Sequence, residues 1–398
     1  MVKPSENVKS LRAQVSLVVL MFWLKTKIIE GGGSLRRLSK EARGYERVLI
    51  LSSRSMKRHG FLKEAEDYVR EAGAEVFSIA GLPAEPSVEV IEEFLPKVKD
   101  FEPDLLVALG GGSVIDTTKA LKVFYDAPGL NFEEIAFIDR FSKPKPVPKL
   151  RTKLIAIPST SGAGSEVSAA SVLKKGDVKY NIVTPEIAPD VAILDPRLPK
   201  TMPREVARNS GLDVLVHGIE AYTTKVASDF SDAMAMRAIK TVFGFLEKSL
   251  EGDGEARERM HYASTMAGIA FLNARLGLCH AMSHKAAWIG PHGLLNAILL
   301  PYVMEFNATK SDYARRRYDE IARELSLRDW RELIDAVRGL NERTGVPRLS
   351  ELVDEETFMA KLDEMAEKAY RDGLVAFNPV EPKPDEIREL YLRAYRGE

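Results

Sequence analysis

The sequence predicts an α/β domain on a parallel, Rossmann-like sheet, followed by an all-α domain. Short β-branched runs alternate with longer amphipathic ones between Tyr45 and Val123, the mark of βαβ units. Two apolar runs end in glycine-rich loops. Beyond Asp195-Pro196 the apolar spacing becomes three-to-four and stays helical. The 398 residues are more than one ordinary domain and fewer than four, and the change of period divides them into 1–195 and 196–398.

Taken in order, Val48 to Leu51 reads as a buried strand, Phe61 to Ala72 as a helix stopped by Gly73, and Glu75 to Ile79 as a second strand. Val88 to Val98 predicts a helix, Leu105 to Leu109 a third strand, and Thr117 to Tyr125 the helix behind it. Asp126 to Leu150 holds four prolines without a clear period and predicts a long surface connection. Strand character resumes at Lys153 to Ile157 and at Val191 to Leu194. Helices then follow at Phe230–Leu250, Glu255–Leu276, His292–Phe306, Asp312–Leu325, Trp330–Thr344 and Pro384–Tyr395. Near the start, the apolar run Val15 to Leu24 is about ten residues against the roughly twenty that span a bilayer. Lys25, Thr26 and Lys27 follow it, continuing as a strand instead of offering a small-residue cleavage site, so no export signal is read.

Composition narrows the function. With 57 Lys+Arg against 58 Asp+Glu the net charge is -1, which leaves no single-signed field for nucleic acid or an acidic membrane. The single cysteine, Cys279, excludes an intrachain disulfide and a cysteine-based zinc finger. It suits a reducing compartment, and the cytoplasm is expected.

Two strand ends carry chemistry. The strand from Asp104 runs into Gly110-Gly111-Gly112-Ser113 and then toward a helix. Glycines let a backbone approach phosphate, and a helix N-terminus supplies free N–H groups and partial positive charge. The full GxGxxG pattern is incomplete, because Ile115 holds the place of the third glycine. The second loop, Ser159 to Ser168, packs hydroxyls and glycines that could bond a ribose, phosphate or amide. Two such loops in one α/β domain point to a dinucleotide crevice.

The helical half points to a metal. Asp213 and His217 are four apart and share a helix face, with Ser210-Gly211 read as the helix start. His280, His284 and His292 fall within thirteen residues. One Asp and three imidazoles make a mixed N/O site for a divalent first-row metal, with one position left for substrate. Cys279 lies about 100° around a helix from His280 and reads as a packed small residue. His59 reads as a solvated helix end and His261 as structural or surface.

On these motifs the chain resembles the iron-containing alcohol dehydrogenase family, also called group III. The matching stretches are Gly110 to Asp116, Pro158 to Ser168, Asp213 to Tyr222 and His280 to Gly293, within a likeness running from Phe22 to Tyr395. The resemblance implies the two-domain plan shared with 3-dehydroquinate synthase, with the metal in the cleft between the domains. It implies Asp213, His217, His280 and His292 as ligands, iron(II) as the ion with zinc as the alternative, and His284 as a proton relay or nicotinamide positioner. A stretch between His280 and His292 shorter than in many relatives leaves exchange of His280 and His284 open. The cofactor contacts carried over are Gly111, Gly112, Ser113, Asp116, Ser159, Thr160, Ser168, Lys179, Leu198 and Met202, together with His284. A homodimer or higher homo-oligomer is expected.

Two departures concern the cofactor. NAD-using relatives carry an Asp after the first strand, where this chain has Ser53 followed by Arg54. Losing a carboxylate and gaining a cation suits a 2′-phosphate, so NADP(H) is expected over NAD(H). Ala84-Glu85-Pro86-Ser87 replaces a Pro-Asn-Pro-Thr stretch, and the sequence offers no role for Glu85. The expected reaction is hydride transfer between NADP(H) and a primary alcohol or aldehyde, because Phe271, Leu276 and Trp288 near the ligand motifs are apolar. A lyase of the dehydroquinate-synthase type would need several cations, and Cys279 to Gly293 offers only Lys285. A non-catalytic protein on this fold would have no need of four metal-competent positions.

Overall fold

Strands β1 (Lys27–Glu30), β2 (Arg47–Ser53), β3 (Glu75–Leu82), β4 (Leu105–Gly110), β5 (Ala136–Phe137), β6 (Lys153–Pro158), β7 (Ala170–Lys175), β8 (Val178–Val183) and β9 (Val191–Leu194) build the first half of the chain. They are seen in a computed structural model that describes residues 20–83, 85–176 and 178–398. The apolar run beginning at Val15 lies outside the described residues up to residue 19, as does residue 84 before Glu85.

Six strands form a parallel sheet in the order β1-β9-β6-β4-β2-β3. Val48 to Leu51 and Leu105 to Leu109 are all fully buried. A sheet covered on both faces needs uninterrupted apolar strands, which is why these two were readable. From β2 the chain moves outward to β3 and returns to β4 on the other side. That reversal is the topological switch point at which open α/β sheets bind ligands. Register pairs Ser52 with Leu109 and Gly110 with Pro158, so the ends of β2, β4 and β6 meet along one edge.

Helices α1 (Phe61–Glu71), α2 (Val88–Phe101) and α3 (Gly112–Asp126) cover the sheet. Helix α3 starts at Gly112, ahead of the expected Thr117. Its Lys119 and Lys122 are buried, which hides the amphipathic pattern. Lys119 Nζ donates to Ser168 O and Oγ and to Ala170 O at 2.8–3.0 Å. The stretch Asp126 to Leu150, expected as an irregular connection, carries a short helix at Phe132–Ile135 and β5. Strand β5 joins β8 and β7 in a small antiparallel sheet that the sequence reading did not foresee.

Beyond β9 the chain is helical: α4 (Arg204–Thr223), α5 (Asp229–Leu250), α6 (Gly254–Ala274), α7 (Leu278–Lys285), α8 (His292–Lys310), α9 (Asp312–Glu324), α10 (Trp330–Thr344), α11 (Glu355–Tyr370) and α12 (Pro384–Arg396). Ser210-Gly211, expected to start α4, instead lies inside it. Ser210 Oγ donates back to Val206 O at 2.7 Å. A Cβ on Gly211 would lie 2.5 Å from Leu246, so its glycine serves helix packing. Asp213 and His217 are therefore held in mid-helix. Among the described residues no helix is long and apolar enough to cross a membrane.

The two halves meet through the Ser159–Ser168 loop. Gly164 (φ +60°) lies so near α6 that an added Cβ would sit 2.6 Å from Gly268 Cα, and one on Gly162 would sit 2.5 Å from Ser210 Cβ. Thr265 Oγ1 on α6 donates to the buried Glu166 at 2.6 Å. On the other side, Arg371 pairs with Asp139 at 2.7 Å and Arg140 with Glu381 at 2.8 Å.

Candidate metal centre and cofactor crevice

Helices α4, α7 and α8 bring the predicted ligands together. One atom each of Asp213, His280 and His292 lies within 4.8 Å of the others. Nε2 of His280 is 3.7 Å and Nε2 of His292 3.9 Å from Asp213 Oδ1. His217 stands beside this trio: its Nε2 is 3.9 Å from the other oxygen, Asp213 Oδ2. Its ring stacks on that of His280 at 4.7 Å, and its buried Nδ1 has no hydrogen-bond partner. Close approach of α8 to α4 depends on Gly293, where a Cβ would meet Asn209 O at 2.2 Å.

The surrounding groups fix the imidazole tautomers. His280 Nδ1 lies 2.6 Å from Glu220 Oε2, and the same carboxylate accepts the backbone N–H of Cys279 at 2.7 Å. Burial pushes the Glu220 carboxyl up to about 7 against the pull of those backbone donors. Where Glu220 is ionised it accepts from His280 Nδ1–H, and His280 Nε2 then keeps its lone pair toward Asp213. Burial, then His217 nearby, holds His280 well below its usual pKa, so the ring is neutral at pH 7. His292 Nδ1 faces Ser283 Oγ at 3.4 Å. One carboxylate and neutral imidazoles with Nε2 turned inward suit a divalent first-row ion.

Three residues here were missed from the sequence. Glu220 stands three residues after His217, and Asn296 four after His292 on the same face, a spacing that could have raised both. Asn296 Nδ2 lies 2.7 Å from Asp213 Oδ1. The third, Asp372, is buried and comes from a distant segment, with Oδ2 2.8 Å from Lys285 Nζ and 3.4 Å from His284 Nδ1. Burial alone would raise its carboxyl, yet the His284 hydrogen bond and the Lys285 charge hold it well below the usual range. The His284 ring stacks on His292 at 5.3 Å, directly beside the centre.

At the sheet edge, Gly110 ends β4 and Gly112 opens α3. A Cβ on Gly111 would meet Thr160 at 3.1 Å and one on Gly112 Ala163 at 2.7 Å. These glycines therefore let the two predicted loops close on one another, beyond any approach to phosphate. Ser113 lies in the first turn of α3 and Ser159 donates its N–H to Gly110 O at 2.9 Å. Ser168 is committed to Lys119, and Asp116 accepts from Val172 N–H at 3.1 Å. Leu198 is wholly buried in the sheet domain's core and Met202 nearly so in the helical core. Lys179 lies on β8 opposite Lys174, whose Nζ forms an exposed ion pair with Glu85 at 3.3 Å.

Ser53 ends β2 and caps the short helix Arg54–Arg58, accepting from Met56 N–H at 3.3 Å. Arg54 is exposed beside Gly81, and among the described residues no carboxylate pairs with it. Phe271 rests on His217 with ring centroids 4.8 Å apart. Leu276 is buried, whereas Trp288 turns to α11, its Nε1 3.4 Å from Met365 Sδ. His261 is buried with Nδ1 3.1 Å from Ser161 Oγ, and His59 is an exposed helix end, as expected. Cys279 is fully buried and packed, as read.

Residues 25–196 match the family model for iron-containing alcohol dehydrogenase, and residues 207–395 match the model for the C-terminal part of the Fe-containing alcohol dehydrogenase family. An alcohol dehydrogenase of Thermococcus barophilus is 69% identical over 94% of this chain and 99% of its own length. An NADPH-dependent butanol dehydrogenase of Clostridium saccharobutylicum is 42% identical over 95% of this chain and 99% of its own. The solved structure of an iron-containing alcohol dehydrogenase from Thermococcus thioreducens superposes with a TM-score of 0.94 at 82% identity, covering 95% of this chain and all of that one. With both halves matched and a metal-competent centre on its helices, the chain belongs to the iron-containing alcohol dehydrogenase family of oxidoreductases.

Proposed function

We propose that the chain transfers hydride between a primary alcohol or aldehyde and NADP(H), with iron(II) as its ion and zinc as the alternative. The observation that carries the metal reading is the convergence of Asp213, His280 and His292. A divalent ion held by these residues with His217 would supply Lewis acidity to the substrate oxygen. The family supports iron; coordination strength alone would rank zinc higher.

The chain's own groups do the rest. Glu220 and Ser283 orient His280 and His292 from outside. His284, with Nδ1 held by Asp372, is left Nε2 to exchange a proton with the substrate hydroxyl. Gly110 to Ser113 would receive the pyrophosphate at the start of α3, with Ser159, Thr160, Ser168 and Lys179 around the crevice. Arg54, exposed and with no carboxylate partner among the described residues, supports binding of a 2′-phosphate, and so does the relative described as NADPH-dependent. Lys285 is neutralised by Asp372, which weighs against a phosphorylated, carboxylated lyase substrate.

A homodimer or higher homo-oligomer is part of this reading, supported by the exposed apolar residues Met21, Phe22 and Phe230. A cytoplasmic setting fits the lone, buried cysteine. The test is anaerobic stripping and reloading with Fe(II) or Zn(II), followed by rates on 1-butanol and butanal with each cofactor. Full activity without metal would overturn the proposal.

A further inference from the structure

We propose that the side-chain amide of Asn296 is a placeholder for the metal, bonding the ligand atoms of the ion-free chain and yielding them when the ion enters. This rests on the metal reading above. Asn296 is fully buried. Its Nδ2 lies 2.7 Å from Asp213 Oδ1, 3.1 Å from His280 Nε2 and 3.1 Å from His292 Nε2. The amide therefore reaches all three atoms that converge at the centre. Behind the amide, Cys279 Sγ lies 3.9 Å from Asn296 Oδ1 and 3.4 Å from its backbone oxygen.

The need for such a donor follows from the ligand set. Glu220 and Ser283 engage the Nδ1 atoms, so both Nε2 lone pairs point at the Asp213 carboxylate. Acceptors facing one another repel, and those of Asp213 and His280 are also buried from water, whereas the His292 side chain is about one-third exposed. Asn296 supplies two hydrogens to three acceptors, enough to relieve the repulsion while leaving one contact weak. An ion uses the same imidazole lone pairs, so the two sets of contacts exclude each other. Asp213 Oδ1 has a second lone pair and can keep the amide. The amide thus stabilises the ion-free chain more than the loaded one.

The test uses the full-length chain with Zn(II) as probe, measuring affinity by competition with a chelating dye and melting temperature with and without zinc. Asn296→Leu keeps the volume and removes the donor. It is expected to lower the melting temperature of the stripped protein, leave that of the loaded protein near the parent's, and bind zinc roughly ten- to a hundredfold more tightly. Should Asn296→Leu fail to fold, Asn296→Ser, with a single short donor, is expected to move the same way by less. Unchanged or weaker zinc binding in the variant that folds overturns the placeholder. Absence of stoichiometric zinc binding in the parent, or binding unaffected by Asp213→Ala, overturns the metal reading instead.

Discussion

The carboxylate of Glu220 meets Nδ1 of His280 at 2.6 Å, in a contact that joins α4 to the N-terminal turn of α7. The same carboxylate accepts N–H groups of that turn, so one side chain places the helix and selects the ring tautomer. A partner of this kind raises the basicity of the opposite nitrogen and fixes where it points.

Glu220→Gln should separate these two roles. An amide can still accept from Cys279 N–H but would present a donor to His280 Nδ1, driving the proton to Nε2 and hiding its lone pair. Metal affinity is expected to fall roughly ten- to a hundredfold, while the protein stays folded. Zinc titration of stripped protein checks this, and unchanged affinity would show that the carboxylate only anchors the helix.

Asp213→Ala and His217→Ala are expected to abolish turnover and leave cofactor binding nearly intact, because these proposed ligands lie on α4 and the glycine turn lies at the end of β4. Nicotinamide fluorescence titration with parallel metal analysis measures both. Loss of cofactor binding in step with metal would contradict the separation.

His284→Ala should retain metal and lose roughly 10²- to 10⁴-fold in rate, the usual worth of a general acid-base group. Asp372→Asn should produce a smaller loss, since it disturbs only the group holding Nδ1. If His284→Ala loses its metal, His284 belongs among the ligands.

The extent to which this molecule can be read from its sequence follows from which interactions are local. Val48 to Leu51 and Leu105 to Leu109 are covered on both faces and so appear as unbroken apolar runs. The β7–β8 hairpin carries Lys174, Lys175 and Lys179 and has no comparable run. Asp213 with His217, and His280 with His284, announce themselves by spacings of one helical turn. Asp372 does not, and the spacing of Glu220 from His217 marks only its helix face, because their imidazole partners are 88 and 60 residues away in the chain. Gly162 and Gly164 were legible as a loop, but their service to the joint with α4 and α6 requires the packed structure.

His261 links that joint to pH. Burial lowers its pKa from 6.5 to about 4, so between those values the unfolded chain binds the proton and the folded one does not. Stability should therefore rise with pH across this window and be lost as pH falls from about 6.5 toward 4, by on the order of 3 kcal/mol. His261→Asn, which can still face Ser161, should flatten that part of the melting-temperature profile. An equal slope in both proteins would assign the dependence to other groups.

Cofactor choice is the prediction that turns on the smallest change. Ser53 caps the short helix after β2 by accepting from Met56 N–H, and Asp is an equally good cap. Ser53→Asp should thus fold normally while placing a carboxylate where it repels a 2′-phosphate and accepts from a 2′-hydroxyl. Arg54→Ala removes a cation that pairs with no carboxylate among the described residues. The parent is expected to favour NADPH in kcat/KM. Arg54→Ala should weaken NADPH roughly ten- to a hundredfold, the value of one charge-assisted contact, and NADH little. Ser53→Asp should shift preference toward NADH, with the melting temperature held near the parent's. A parent that favours NADH, or an Arg54→Ala variant that weakens both cofactors alike, would place the 2′-phosphate elsewhere.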